Sequence, residues 1–129
     1  MEQIEQAEGR QMVVLPWPPA VLSPNARSHW AIRSRAAKSY RMQCFLFARQ
    51  AGLVAPEGRI LLDLEFIPPT MRRRDDDNLT AAFKAGRDGL ADALGIDDSR
   101  FVSLVRLRST PQRGGAVRVT LSAYQGEVG

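Results

Sequence analysis

Cysteine occurs once in this chain, at Cys44, and histidine once, at His29. A single thiol forms no internal disulfide, and no cysteine-built or His-rich metal centre can be assembled. Chemistry that needs two imidazoles is excluded with it. No apolar run approaches the length of a bilayer span. The first residues, MEQIEQAEGR, are acidic and carry no signal-peptide apolar stretch. There is no internal repeat and no low-complexity segment. No G-x-x-x-x-G-K-[ST] phosphate loop is present, which argues against a Mg²⁺ enzyme of small phosphate esters. These absences lead to the expectation of a cytoplasmic, reduced setting with no membrane partner.

What is present is one domain's worth of chain. At 129 residues, 44% hydrophobic and 25% charged, the sequence supports a single core. The expected limits are a flexible segment at 1–9, a domain over 10–125 and a tail at 126–129. The net charge is +4, and most of the 18 basic residues are arginine. Guanidinium forks onto phosphate and carboxylate oxygens in a way that ammonium does not. A nucleic-acid partner fits that bias.

The periodicity predicts an α+β domain in the order β-α-β-α-β-β, a mixed sheet with two helices packed on it. Met12–Leu15 reads as a short strand, closed by prolines 16, 18 and 19, which suit neither helix interior nor central strand. That loop is expected to run over the surface with Trp17 as an anchor. A helix is predicted from about Ala31 to Gln50, with Ala37, Tyr40, Cys44, Phe47 and Ala51 inward and Gly52 as its stop. Alternation over 60–67 predicts a strand ended by the prolines at 68 and 69. A single helix is predicted over Leu79–Leu94, then strands at Phe101–Leu107 and Val117–Ala123.

The stretch RRRDDDNL, Arg72 to Leu79, sets three cations against three anions. In an extended segment residues i and i+2 point the same way. Asp75 and Asp77 would then converge while Asp76 points elsewhere, and two hard oxygen ligands on one side suit Mg²⁺. A second pair, Asp97 and Asp98, follows the helix. Each feature has a plainer meaning too. Asp77 and Asn78 suit a helix cap, Asp97–Asp98 a turn, and the arginines a solvated face.

The combination resembles the RusA family of Holliday junction resolvases, common in phages and prophages. The residues that carry the resemblance are LPWPP at 15–19, Asn25 after it, RRRDDDNL at 72–79 and IDDSRF at 96–101. The resemblance implies a homodimeric, Mg²⁺-dependent endonuclease of mixed α/β fold, with Mn²⁺ an alternative ion, that nicks four-way junctions or branched DNA in a bacterial cell. It implies catalytic carboxylates at Asp75, Asp77 and Asp98, with Asp97 beside them in the metal set. Arg72, Arg73, Arg74 and Asn25 would face the DNA. The family often has a lysine three residues after the asparagine of D-x-D-N. Here that position is Ala81, and the nearest lysine is Lys84, one turn further on. Lys84 either reaches back to the acids or pairs with Asp88 at i,i+4.

Further residues have two readings each. His29 would touch DNA or be a loop histidine. Trp17 and Trp30 would stack on unpaired bases, or pack the proline loop onto the core. Arg106, Arg108 and Arg118 lie out of phase with the apolar residues of the last strands, as a basic sheet face or a solvated one. The rival to a nuclease is a non-catalytic nucleic-acid binding module of the same fold, which gains nothing from carboxylates beside its phosphate contacts.

Overall fold

The computed structural model describes residues 9–125 apart from Arg73 and Asp75, together with the backbone but not the side chain of Asp76. Of the expected terminal segments, 1–9 and 126–129, all but Gly9 lies outside the described residues. Among the described residues four strands and three helices follow one another: β1 Gln11–Leu15, α1 Trp30–Gln50, β2 Ile60–Ile67, α2 Asp76–Ala82, α3 Lys84–Leu94, β3 Phe101–Leu107 and β4 Ala116–Ala123. Short 3₁₀ turns occupy Ala20–Leu22 and Asp98–Arg100. The α+β prediction holds.

The sheet order is β1-β4-β2-β3. β4 runs antiparallel to both β1 and β2, and β3 lies parallel to β2 at one edge. Alternation decides which face is covered. Val13, Leu15, Ile60, Leu62, Leu64, Phe66, Phe101, Val117, Val119 and Leu121 are buried on the helix side. The opposite face carries ions. Asp63 and Glu65 of β2 meet Arg106 of β3 at 3.0 Å and Arg118 of β4 at 3.2 Å. Arg106 and Arg118 are therefore charge-matched to their neighbours, and they do not make a basic face. Arg108 points its Nε at Thr110 Oγ1, 3.2 Å away.

The first helix starts one residue earlier than predicted, at Trp30. His29 caps it, with Nδ1 accepting from the Ala31 N–H at 3.1 Å. Its buried residues are Tyr40, Cys44 and Ala48. Phe47 and Ala51, predicted to face inward, are exposed, because the inward stripe passes through Ala48 instead. Gly52, at φ 73°, takes the left-handed turn that ends the helix. Trp30 is a second correction. It is 73% exposed, and its ring lies tilted beside His29 with centroids 5.7 Å apart, so it does not pack the proline loop onto the core.

The predicted single helix over 79–94 is two helices, and the first begins at Asp76. The break falls at Phe83, whose φ of −88° and ψ of 0° lie outside regular helix values. Its ring stands edge-on to both Phe66 and Tyr40, with centroids 5.8 and 6.2 Å away. Removing that ring should cost about 3–5 kcal/mol. Gly86 makes room for it: a Cβ there would lie 2.6 Å from Phe83 Cε1. Gly89 lets α3 approach α1, since a Cβ would lie 2.4 Å from the Arg41 carbonyl oxygen. Among the described residues no helix is long and apolar enough to cross a membrane.

Candidate nucleic-acid cleft and acidic segments

The register of the sheet brings the distant motifs together. Leu15 of β1 and Phe66 of β2 both pair with Val117 of β4. The proline loop after β1 and the arginine loop after β2 therefore leave the same end of the sheet. Between them lies a cleft of about 710 Å³, lined among others by Trp17, Asn25, Arg72, Arg74, Asn78 and Leu79. Residues from two distant stretches of the chain, all within the motifs singled out above, share one concavity.

Local contacts hold the walls. Pro18 is buried, and Trp17 sits edge-on to Phe66 at 6.0 Å. The Tyr40 hydroxyl donates to the Pro16 carbonyl at 2.6 Å, tying the proline loop to α1. Arg33 Nη1 donates to the Val21 and Ser23 carbonyls at 2.7 and 3.2 Å, fixing the stretch that leads to Asn25. On the other wall Arg74 Nη1 donates to the Thr70 and Arg72 carbonyls at 2.9 and 2.8 Å, and Nη2 to Thr70 Oγ1 at 3.1 Å. Its guanidinium lies over the Trp17 ring, 5.4 Å from the centroid. Burial, and then the neighbouring Arg72, lower the proton affinity of Arg74 below the usual arginine value. A cation placed under that strain favours an anion beside it.

The acids are arranged differently from the expectation. Asp77 is not in an extended segment. It is the second residue of α2, exposed, in the first turn where a carboxylate favours the helix dipole. Asp75 and Arg73 lie outside the described residues. Asp97 accepts from the Ser99 hydroxyl at 2.5 Å, and its carbonyl accepts from the Arg100 N–H at 3.1 Å, the turn that its plainer reading anticipated. Asp98 Oδ2 takes Arg87 Nη1 at 3.0 Å. The same guanidinium donates to Ser103 Oγ and the Phe101 carbonyl at 3.3 and 3.2 Å, bracing the start of β3 against α3. Because β2 and β3 are parallel, the chain delivers Asp98 next to the beginning of β2 and the D-x-D-N segment beyond its end. Among the described residues no three His, Cys, Asp or Glu side chains are grouped to hold a metal ion. The described part of the expected metal set, Asp77, Asp97 and Asp98, does not by itself fit Mg²⁺. Lys84 Nζ lies 3.4 Å from Asp88 Oδ2, the i,i+4 alternative.

The sequence reading missed Arg87 and the tie between Tyr40 and Pro16. Neither has a local signature. Arg87 lies within a helix and acts on a loop eleven residues away, and Tyr40 read simply as one apolar step of its helix.

A protein of Xylella fastidiosa (strain Temecula1 / ATCC 700964), described as an uncharacterized protein, is 49% identical over 116 residues. The match covers 87% of this chain and 76% of that relative. The two chains belong to one family. No protein-family model matches the sequence. At this identity the relative shares the fold, and the chemistry of the site rests on the residues themselves.

Proposed function

We propose that the protein is a Mg²⁺-dependent endodeoxyribonuclease that cuts branched DNA and resolves four-way junctions by paired phosphodiester hydrolysis. One observation carries the reading: LPWPP, Asn25 and the RRRDDDNL segment contribute side chains to one cleft with two arginines in its wall. Arg72 and Arg74 neutralise backbone phosphate, and Asn25 contacts the strand from the opposite side. Asp75 and Asp77 hold Mg²⁺, or Mn²⁺ in its place. When bound, such an ion supplies an activated water and stabilises charge on the scissile phosphate and the leaving oxygen. Asp98, at the opposite end of β2, joins them only from the second chain of the dimer and once it leaves Arg87. The reading includes a homodimer, a bacterial cytoplasmic setting and a phage or prophage origin.

A second reading is a nucleic-acid binding module without catalysis. The Arg87–Asp98 pair favours it, because it gives Asp98 a structural task. The experiment that separates the two uses a labelled four-way junction and a matched duplex, each with Mg²⁺ or with EDTA. Nicking of the junction that requires Mg²⁺ supports the nuclease. Binding without nicking in either condition supports the module.

A further inference from the structure

We propose that the cleft between the proline loop and the arginine loop holds an unpaired nucleotide, so that the protein engages DNA where a strand is single. This rests on the nucleic-acid part of the proposed function and deepens it. The volume, about 710 Å³, falls in the range of sites that enclose a small organic group, roughly 300–1,000 Å³. Its lining has two chemistries. Trp17, Leu79 and Ala82 are apolar, while Arg72, Arg74, Asn25 and Asn78 are polar or cationic. A phosphate contact alone needs no apolar floor, and an apolar ligand needs no paired guanidiniums. A nucleotide uses both.

Arg74 is the decisive part. Three hydrogen bonds to Thr70 and Arg72 fix the guanidinium, and the Trp17 ring backs it. A planar cation held rigid against an indole is a stacking shelf. Bases stack on aromatic and guanidinium planes whatever their identity, and the interaction is worth about 1–3 kcal/mol per base. A base inside a duplex has both faces covered by its neighbours and an end pair has one, so an unpaired base is the best placed to use the shelf. The amides of Asn25 and Asn78 offer both donors and acceptors to a base edge. Arg72, together with the charge that Arg74 keeps while it stacks, neutralises the adjoining phosphates.

The test uses the full chain carrying Trp30→Phe, so that indole emission reports Trp17. Trp30 is exposed and lines no part of the cleft. A twenty-one-residue deoxythymidine oligonucleotide is titrated in EDTA, against a GC-rich blunt duplex of eleven base pairs, which has the same number of phosphates. Saturable quenching by the oligonucleotide, at least about tenfold tighter than by the duplex, is expected. Arg74→Lys keeps the charge and loses the plane. It should cut oligonucleotide affinity about tenfold and duplex affinity less than about twofold. Equal affinity for the two DNAs, or equal losses in Arg74→Lys, would overturn the proposal; the first comparison needs no variant at the cleft. Mg²⁺-dependent cleavage of a four-way junction is scored on the same Trp30→Phe protein. Cleavage without single-strand preference rejects the cleft assignment alone. Single-strand preference without cleavage of any DNA supports the cleft and rejects the nuclease.

Discussion

Arg87 Nη1 lies 3.0 Å from Asp98 Oδ2, and both side chains are about one-third exposed or less. The pair joins α3 to the loop that begins β3. An ion pair this accessible contributes roughly 0–1 kcal/mol. Removal of Asp98 should therefore have a small effect on a thermal melt, and removal of Arg87 a larger one, because its bonds to Ser103 and the Phe101 carbonyl go with it. Catalysis separates the partners. Asp98→Asn should lower cleavage by orders of magnitude if Asp98 works with the D-x-D-N acids, whereas Arg87→Gln should leave cleavage within a few-fold of wild type. Equal, modest effects in both variants would leave Asp98 a structural acid. Asp77→Asn belongs in the same series. It should abolish cleavage while junction binding persists or tightens, because a charge that repels phosphate has gone.

The arginine wall predicts a salt effect. For each phosphate that the protein no longer neutralises, the slope of log K against log salt falls by about 0.7 to 0.9. Replacing Arg72 and Arg74 with alanine should weaken junction binding and flatten that slope by about one to two units. Adding Arg73→Ala tests the third member of the run. A slope that stays constant across the series would show that these guanidiniums meet no phosphate.

Lys84 gives a cleaner contrast than it did in the sequence. Its side chain is 72% exposed, and its ammonium pairs with Asp88 on the same helix. Lys84→Ala should cost roughly 0.2–0.5 kcal/mol and leave turnover intact. Parallel melts and cleavage rates on that variant measure both quantities. A large loss of turnover with an unchanged melt would instead give Lys84 the part of the family lysine.

Local patterns carried most of the fold. The alternation over 60–67 and the prolines after it located the central strand and its end, because burial of one face imposes period two whatever lies around it. The break at Phe83 was not legible, because it answers to Phe66 and Tyr40, residues seventeen and forty-three positions away. Trp30 misled for the opposite reason. Aromatic character suggested packing, but its place at the start of a helix decided otherwise. The neutral character of the open sheet face depends on strand order, since Arg106 and Arg118 find Asp63 and Glu65 only when β2 lies between β3 and β4. The cleft was half legible. Its motifs stood out as residue patterns, but their meeting follows from the β1–β4–β2 register, which no local pattern encodes.

Cys44 supplies a prediction that depends on pH. It is fully buried, and burial pushes its thiol up to about 12. The unfolded thiol ionises near 8.5. The folded state thus resists thiolate formation, and the stability it contributes is complete below the unfolded value and declines as pH rises above it. Thiol reagents should label Cys44 only through opening of the fold. At pH 7 labelling should be slow and match unfolding measured independently, and above about pH 9 the wild type should lose stability that Cys44→Ala, compared with its own value at pH 7, does not. Rapid labelling of the native protein would show that α1 does not seal the core as described.

A four-way junction is close to two-fold symmetric, and clean resolution needs two opposed nicks. One chain offers one D-x-D-N and one Asp97–Asp98 pair, so two sites require two chains, most simply about a two-fold axis. The proline loop is a poor surface for that contact, because Pro18 is buried and Trp17 is engaged by Phe66 and Arg74. The outer side of α1 is better supplied. Ile32, Met42 and Leu46 are exposed there and, at about 100° per residue, fall within about 80° of one another. Sedimentation at micromolar concentration should give about twice the chain mass. Leu46→Glu with Met42→Glu should return the monomer without unfolding it, since neither side chain is in the core. A dimer with one Asp77→Asn subunit should nick one strand and fail to resolve the junction efficiently. If the wild type is monomeric with and without junction DNA, the paired-nick mechanism fails even where single nicks persist. If it is dimeric and the two glutamates do not dissociate it, the contact lies elsewhere on the chain and the two-site argument stands.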